Sequence, residues 1–219
     1  MVKPRVIETI EGIQGEFNVE TYDKMMRRMR DKGWLETSLV LKSGISSGLA
    51  LEVGPGPGYL GLEWLRRTKG TYLKGLEISP DMVKIAERNA EEYNLQDRVE
   101  YVQGDAQEML FPDNHFDAIF TNGSLHEWAE PKKIFNEIYR VLKPKGKYLI
   151  SDLRRDMNAI VKLFMKSVTK PKEIRPGLIT SINASYTADE IQSILKESIL
   201  PNFQVKRGIM GLVITGEKD

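Results

Sequence analysis

The chain contains no cysteine and only two histidines, His115 and His126, among its 219 residues. The lack of cysteine excludes disulfides, thiolate nucleophiles, iron–sulfur clusters and zinc sites with cysteine ligands. Two histidines are also too few for a histidine-rich zinc site. We therefore expect chemistry that needs no bound metal.

A large excess of charge of one sign is also lacking. The chain has 32 Lys and Arg against 31 Asp and Glu, a formal net charge of +1. A protein that captures nucleic acid through an overall basic field is therefore not expected. No stretch approaches the ~20 apolar residues that a membrane-spanning helix needs, and the N-terminus lacks the apolar core of a secretory signal. We expect a cytoplasmic protein with no membrane partner. The oligomeric state cannot be inferred from the sequence.

The remaining composition is that of a globular protein, with 41% hydrophobic and 29% charged residues. From residue 49 onward, short apolar segments alternate with segments of about a dozen residues that have helical periodicity, which is typical of βαβ units. Gly208 alone separates the last two predicted strands, so these two must be antiparallel. The pattern predicts an α/β fold: a Rossmann-like, doubly wound, mostly parallel seven-stranded sheet with an antiparallel C-terminal hairpin. The predicted strands are 49–53, 71–77, 98–103, 116–121, 147–152, 203–207 and 209–215.

A glycine-rich loop follows the first predicted strand and opens a helix. Glycines at such a place let the backbone approach a ligand beside a helix N-terminus. Two spacings overlap here: GxGxxG over 56–61, the dinucleotide fingerprint, and GxGxG over 54–58, preceded by Glu52. Because the strand ends at Val53, the tight turn begins at Gly54, which favours GxGxG.

Acidic residues follow the next two predicted strands. Glu77 ends the second strand, where a carboxylate can accept hydrogen bonds from two ribose hydroxyls of NAD or of another adenosine ligand. Asp105 follows the third strand in Gly104-Asp105-Ala106, either as an ordinary Asx turn or as an acceptor for an adenine amine. Three such features at neighbouring strand ends favour a nucleotide-like ligand.

Four segments, in this order and spacing, resemble the class I methyltransferases that use S-adenosyl-L-methionine, in the branch that contains the ubiquinone and menaquinone C-methyltransferases. They cover much of 45–152 and read EVGPGPGYLG, GLEISPDM, GDAQEMLFPDNHFDAIFTNGSLHEW and IYRVLKPKGKYLISD. The resemblance implies an S-adenosylmethionine-binding domain at 45–152 and 187–219. It also implies an N-terminal helical cap at 1–44 and an inserted substrate-covering segment at 153–186.

The same resemblance implies roles for single residues in cofactor binding. Glu52 and the glycine backbone would hold the methionine part, Glu77 the ribose hydroxyls and Asp105 the adenine amine. Ile78 would pack on adenine, and Asn122 would offer its backbone to the amino group. The implied cofactor-binding set is Glu52, Gly54, Gly56, Gly58, Glu77, Ile78, Asp105, Ala106 and Asn122.

The acceptor site is expected between the 122–128 segment, the 153–186 insert and the N-terminal helices, where Tyr22 is a further candidate. His126 is the histidine near this place, as a general base or as a packing or substrate-contact residue. Trp128 would stack on the acceptor or belong to the core. Arg154 would clamp an anionic acceptor or begin a solvated helix. Methyl transfer by in-line displacement needs mainly orientation and desolvation, and a base only where the acceptor loses a proton.

The leading interpretation is thus a small-molecule methyltransferase. An NAD-dependent oxidoreductase is an alternative, based on the overlapping GxGxxG and on Glu77. An RNA-directed methyltransferase or RNA-binding protein is another, based on the basic insert and on three arginines, Arg27, Arg28 and Arg30. The near-neutral charge and the lack of an Asn-Pro-Pro-Tyr motif oppose the RNA alternative.

Overall fold

Seven strands form one sheet in the computed structural model, which describes residues 3–7 and 12–219. Their order across the sheet is β3-β2-β1-β4-β5-β7-β6. The first five strands are mutually parallel, whereas β7 runs antiparallel to both β5 and β6. This confirms the predicted sheet and its antiparallel hairpin. The strands are β1 (Leu49–Val53), β2 (Tyr72–Glu77), β3 (Val99–Gln103), β4 (Phe116–Asn122), β5 (Leu142–Leu153), β6 (Gln204–Arg207) and β7 (Gly211–Glu217).

Eight α-helices surround this sheet in the described residues. A break at Gly33, which has a φ of 67°, separates the first two helices. The helices are α1 (Glu16–Asp31), α2 (Thr37–Lys42), α3 (Tyr59–Arg66), α4 (Pro80–Glu92), α5 (Pro131–Val141), α6 (Ala159–Val168), α7 (Arg175–Ala184) and α8 (Ala188–Glu197).

Side chains cap the starts of two helices next to the sheet. The Ser79 hydroxyl accepts a hydrogen bond from the Met82 amide at 3.2 Å, and Pro80 occupies the first helical position of α4. In α8, Thr187 and Glu190 form a reciprocal capping box. Capping satisfies backbone donors that have no partner within the helix.

Alternation along β1 divides the core between the two faces of the sheet. Leu51 and Val53 pack with the buried residues of α5 and α8, whereas Ala50 packs with Trp64 and Leu65 of α3. Successive side chains of a strand point to opposite faces, so both faces of the central strand are buried. With helices packed on both faces, the carboxyl ends of the strands lie at one edge, where ligands bind in such folds.

Two segments differ from the predicted pattern. The Lys143–Gly146 turn lies inside β5 as an excursion, because the register with β4 jumps from Phe116–Leu142 to Ala118–Lys147. The 153–186 segment, expected as an inserted substrate-covering segment, contains α6, a 3₁₀ turn at Lys172–Ile174, and α7. No helix in the described part of the chain combines the length and the apolar character that crossing a bilayer requires.

Candidate active site

A cleft opens at the carboxyl ends of β1, β2 and β3 and just past β4, as the glycine loop predicts. Its walls come from 53–56, 76–78 and 104–107 on one side. Residues 123–124 and 127–129 close the other side, and Gly12, Ile13 and Tyr22 line it from the N-terminal segment. None of residues 153–186, all of which the structure describes, lines this cleft.

The three loop glycines are required for different reasons. A Cβ on Gly54 would lie 2.7 Å from the Ser124 Cβ, and one on Gly58 would lie 2.3 Å from the Tyr101 hydroxyl. Both positions are thus closed by packing, and Gly58 does not line the cleft. A Cβ on Gly56 would meet only the ring of Tyr22, at 3.5 Å, and Gly56 does line the cleft. Gly56, with a φ of 54°, is therefore the glycine whose open side faces a ligand.

Glu77 holds this loop to the end of β2. Its Oε2 accepts a hydrogen bond from the Gly56 amide at 3.0 Å, and its Oε1 accepts one from the Ser79 amide at 3.0 Å. Burial raises the pKa of this carboxyl, while amide donors at Ser79, Gly56 and Ile78 act in the opposite direction. The side chain is 6% exposed and lines the cleft, so an acidic group is positioned where ribose recognition is predicted.

Glu52, the acidic residue that precedes the glycine loop, does not line the cleft. It shares the sheet face of Ala50, not that of Leu51, and it is 2% exposed with no surface in the cleft. The Gly61 amide of α3 donates to its carboxylate, and a Cβ on Gly61 would stand 2.3 Å from its Oε2. Burial raises the pKa of Glu52 well above its ordinary value, and the negative charge of Glu77 adds to that shift. Glu52 is therefore not among the residues that line the cleft, and its contact with the methionine part of the cofactor stays a prediction.

Ile78, Asp105 and Ala106 all line the predicted adenine end of the cleft. Asp105 Oδ1 accepts from the Gln107 amide at 2.8 Å, and Oδ2 from the Gln107 side-chain amide at 3.2 Å. Asp105 thus forms the ordinary Asx turn and faces the cleft at the same time. Gln107 is a cleft residue that the sequence analysis missed, since a single Gln after a turn forms no recognisable pattern.

Asn122, the last residue of β4, does not reach the cleft. The Asn122 side-chain amide donates to the Ser151 hydroxyl at 3.0 Å, and Asn122 does not line the cleft. Gly123 and Ser124 line it instead. Gly123 has a φ of 74°, and no atom lies within 4 Å of its Cβ position, so this turn also has an open side.

His126 is buried immediately behind this wall, at 7% exposure. Its Nδ1 lies 3.0 Å from Asp152 Oδ1 and 2.9 Å from Asp152 Oδ2, and its backbone amide donates to Oδ2 at 2.7 Å. Its chain neighbours Ser124 and Glu127 line the cleft, although His126 does not. Asp152, at the carboxyl end of β5, therefore fixes both the ring and the backbone of the 124–128 turn.

Trp128 both packs in the core and lines the cleft, and the sequence had left open which of these two positions it takes. Its ring lies edge-on to Phe135, with 5.7 Å between centroids, and it also lines the cleft. Its carbonyl accepts from the Tyr186 hydroxyl at 2.6 Å.

Arg154 is not brought to the cleft: its guanidinium pairs with Asp156 at 3.4 Å. Asp156 also pairs with Arg207.

The N-terminal wall of the cleft is anchored by a buried carboxylate in α1. Asp23 is 3% exposed, and its Oδ1 accepts from the Tyr59 hydroxyl and from the Asn89 side-chain amide, both at 2.9 Å. This ties α1 to α3 and α4 and presents Tyr22 to the cleft. Gly12 and Ile13, which precede α1, were not predicted as site residues, because isolated Gly and Ile carry no functional pattern.

Residues 3–7 add a second link behind the same wall. The Arg5 guanidinium donates to the carbonyl of His126 at 2.8 Å and to that of Trp128 at 3.2 Å, and it lies 4.0 Å from the centroid of the Tyr186 ring. These contacts hold the 126–128 turn from outside. In the described residues, no group of three or more His, Asp and Glu side chains is arranged to hold a metal ion.

A family model described as "Methyltransferase domain" matches residues 51–150, the stretch from β1 to β5 that builds the cleft. Residues 51–150 are thus similar to the methyltransferase domain of class I S-adenosylmethionine-dependent methyltransferases. This confirms the resemblance on which the cofactor-binding predictions depend, and S-adenosylmethionine is the cofactor of this family.

Two curated proteins and one solved structure show how far the similarity extends. "Uncharacterized methyltransferase YdaC" from Bacillus subtilis is 33% identical over 53% of this chain and 62% of its own length. The "Demethylmenaquinone methyltransferase" from Thermus thermophilus is 30% identical over 59% of each chain. The solved "SAM dependent methyltransferase" from Aquifex aeolicus aligns with 94% of this chain and 100% of its own, at a TM-score of 0.70 and 21% identity.

The match to the two curated relatives thus spans about three fifths of their length. The solved structure, at 21% identity, bears on the fold. None of these three proteins is named as an NAD-dependent oxidoreductase or as an RNA-binding protein. The comparisons therefore support the methyltransferase interpretation and give no support to either alternative.

Proposed function

We propose that this protein transfers a methyl group from S-adenosylmethionine to a small-molecule acceptor. The observation that carries the proposal is the hydrogen bond between Glu77 Oε2 and the Gly56 amide, which brings an acidic strand end and the open glycine together in one cleft. A carboxylate can accept hydrogen bonds from ribose hydroxyls, and a close backbone approach needs a glycine without an obstructing neighbour.

The residues present fit this cofactor. Gly56 leaves space where a side chain would otherwise project, and Gly123 does the same on the opposite wall. Ile78 and Ala106 offer apolar surface next to the Asp105 carboxylate, as an adenine ring requires. When bound, the cofactor supplies a methyl group already activated on a sulfonium. The protein is then left with the tasks of orientation and of excluding water.

The walls of the cleft supply both tasks. Glu77 orients the ribose end, and the rigid 124–128 turn limits the opposite end through its link to Asp152. Tyr22 and Trp128 cover the cleft with aromatic surface from two sides, which keeps water from the reacting centre. An acceptor enters between these two side chains and makes an in-line approach.

We propose His126, whose ring lies behind the wall formed by Ser124 and Glu127, as the base for an acceptor that must lose a proton, so that its ring must reach the acceptor past this wall. A carboxylate that accepts from Nδ1–H leaves Nε2 as the ring's proton acceptor. With an acceptor that gives turnover, the rate should fall on the acid side, where a protonated imidazole cannot accept a proton. That acid limb should be absent in His126→Asn. The same acid limb in His126→Asn and in the parent would show that His126 only positions the turn.

The acceptor itself is proposed only as a small molecule. The similarity to a protein named as a demethylmenaquinone methyltransferase favours an aromatic or lipophilic acceptor. An anionic acceptor held by Arg154 stays a prediction, and the ion pair of Arg154 with Asp156 competes with it. Tests with quinol and phenol acceptors, with and without a carboxylate, would separate these classes.

Thermal unfolding with four ligands tests the proposed function before any acceptor is known. S-adenosylmethionine and S-adenosylhomocysteine should each raise the midpoint, because a ligand that binds only the native state stabilises it. NAD and a short RNA should leave the midpoint unchanged. A rise with NAD or RNA, and none with either sulfur-containing ligand, would contradict the proposal and favour one of the alternatives.

A further inference from the structure

Helix α6 presents an apolar stripe to solvent. None of its ten residues is buried. Ile160, Leu163, Phe164 and Val168 are 76%, 69%, 54% and 42% exposed, and we call these four residues the α6 stripe. Their spacing of i, i+3, i+4 and i+8 places them on one face of the helix. Large apolar side chains grouped in this way mark an interaction surface.

The opposite face of α6 is the one that contacts the protein. Lys162 is partly buried, and its ammonium donates to the Arg155 carbonyl at 2.7 Å. Val161 and Met165 are likewise partly buried. Helix α6 therefore packs against the rest of the protein through one face and exposes the stripe on the other. It lies outside the cleft described above.

The stretch of chain that carries the stripe is rich in lysine and lacks carboxylates. Residues 157–172 contain four lysines and no Asp or Glu. Lys170 and Lys172 lie with Lys24 and Arg28 of α1 around one shallow depression. No ion pair involves any of these four cations within residues 3–7 and 12–219. Phe17, at 76% exposure, lies on the same side of α1, since 17, 24 and 28 are spaced by seven and four residues.

We propose that the α6 stripe, with Lys166, Lys170 and Lys172, docks this protein on an anionic lipid surface. A helix with exposed Leu and Phe beside lysines inserts its apolar side at the boundary between headgroups and acyl chains. Lysines near that surface attract the lipid phosphates. The helix lies on the membrane and does not span it, so the surface is compatible with the lack of membrane-spanning helices in the described residues.

Charge favours an anionic lipid surface over a second copy of this chain as the partner of the α6 stripe. Two copies meeting symmetrically through the stripe would bring the lysines of 157–172 against each other, with no carboxylate in that segment to compensate them. Like charges placed opposite each other oppose association. An anionic bilayer presents apolar and negative groups together, which matches both properties of the surface.

Vesicle flotation tests the proposal directly. The parent should float with vesicles of phosphatidylglycerol and phosphatidylcholine, and it should bind about tenfold less in 0.5 M salt, because salt screens the lysines. Leu163→Ser/Phe164→Ser should reduce binding by about tenfold or more, because it removes the inserting side chains. Lys170→Gln/Lys172→Gln should reduce binding to anionic vesicles to a similar degree.

The matched control is Tyr72→Ser/Leu110→Ser, which removes one aromatic and one leucine that are 55% and 86% exposed outside α1 and α6. This control should bind vesicles as the parent does, and circular dichroism melting should show all variants folded. Binding that is equal for pure phosphatidylcholine vesicles, or that is unaffected by Leu163→Ser/Phe164→Ser, would overturn the proposal. A dimer by light scattering that dissociates in this variant would overturn it in favour of a second copy. Because flotation needs no acceptor and no cofactor, its outcome is independent of the methyltransferase proposal.

Discussion

Glu77 Oε2 accepts a hydrogen bond from the Gly56 amide at 3.0 Å, which joins the end of β2 to the loop that follows β1. The Oε1 atom of the same carboxylate accepts a hydrogen bond from the Ser79 amide, so one side chain holds both the glycine loop and the start of α4. The glycine loop after β1 and the acidic residue at the end of β2, which identify the cleft in the sequence, are therefore joined in one structural unit. Changes at Glu77 should affect both ligand contact and loop position.

Glu77→Gln should weaken S-adenosylhomocysteine binding by about 1–3 kcal/mol, because a side-chain amide leaves one backbone donor or ligand hydroxyl without an acceptor. Isothermal titration calorimetry measures this directly. The control is Glu100→Gln on neighbouring β3, whose exposed carboxylate pairs with Lys74 at 2.6 Å and should not affect affinity. Equal affinity in Glu77→Gln and the parent would reduce Glu77 to a buried structural acid.

Glu52 makes the stability of the fold depend on pH. Burial raises its pKa, so the folded state keeps a proton that the unfolded state loses above pH ~4.3. The stability that this group contributes is complete below that pH and is lost as the pH rises through the folded pKa. The free energy of unfolding of Glu52→Gln, relative to the parent, should therefore increase from pH 4 to pH 8 in urea titrations.

Glu100→Gln is again the control, since an exposed carboxylate should produce no such growing difference. A constant difference between Glu52→Gln and the parent across this pH range would mean that Glu52 is ionised in the folded protein. In the described residues, Glu52 Oε2 and the Tyr101 hydroxyl are buried without a hydrogen-bond partner. Such an environment favours the neutral acid.

The two histidines permit a direct test of the His126–Asp152 contact. Asp152 can only accept from Nδ1, so His126 should carry its proton on Nδ1, and long-range nitrogen–proton NMR spectra distinguish the two tautomers. His115 serves as the internal reference, because its ring stacks on Phe111 at 6.4 Å and lies edge-on to Phe116 at 4.8 Å. A spectrum in which His126 carries its proton on Nε2 would contradict the geometry described above.

Arg155, next to Arg154, is predicted to be important for stability. Its guanidinium is 5% exposed and donates to the Lys3 carbonyl, the Ser185 carbonyl and Glu190 Oε1. Arg155→Ala should cost about 1–3 kcal/mol in the free energy of unfolding, because it leaves the buried Ser185 carbonyl without this donor and breaks the pair with Glu190. Arg66→Ala, which removes a 59% exposed partner of Glu63, should cost at most about 1 kcal/mol. Equal losses in the two variants would contradict this prediction.

Local patterns predicted the sheet and most of the cleft. Glycines after β1 and acids after β2 and β3 are short-range signals, and parallel strands bring their ends to one edge regardless of packing detail. The direction of Glu52 depends on alternation along β1: it shares a face with Ala50, so it points to α3 and away from the cleft. Strand periodicity carried this information, whereas motif similarity did not.

Other parts of the site depend on contacts that no local pattern specifies. The pairing of Asp156 with both Arg154 and Arg207 joins residues up to 51 positions apart in the chain. Asp23 anchors α1 through partners on two different helices, Tyr59 and Asn89. Helix α6 was missed because it lies in a segment without βαβ rhythm. Its apolar spacing would in any case have predicted a buried face, whereas the structure exposes it.

Calorimetric titration of S-adenosylhomocysteine into Gly56→Val and Gly70→Val tests the central claim most directly. Both glycines have a positive φ, 54° and 63°, so both substitutions impose similar backbone strain. Only Gly56 lines the cleft, whereas Gly70 has no atom within 4 Å of its Cβ position. Gly56→Val should fold and lose binding, and Gly70→Val should bind as the parent does. Undiminished affinity in Gly56→Val, or no binding to the parent, would contradict the assignment of this cleft to S-adenosylmethionine.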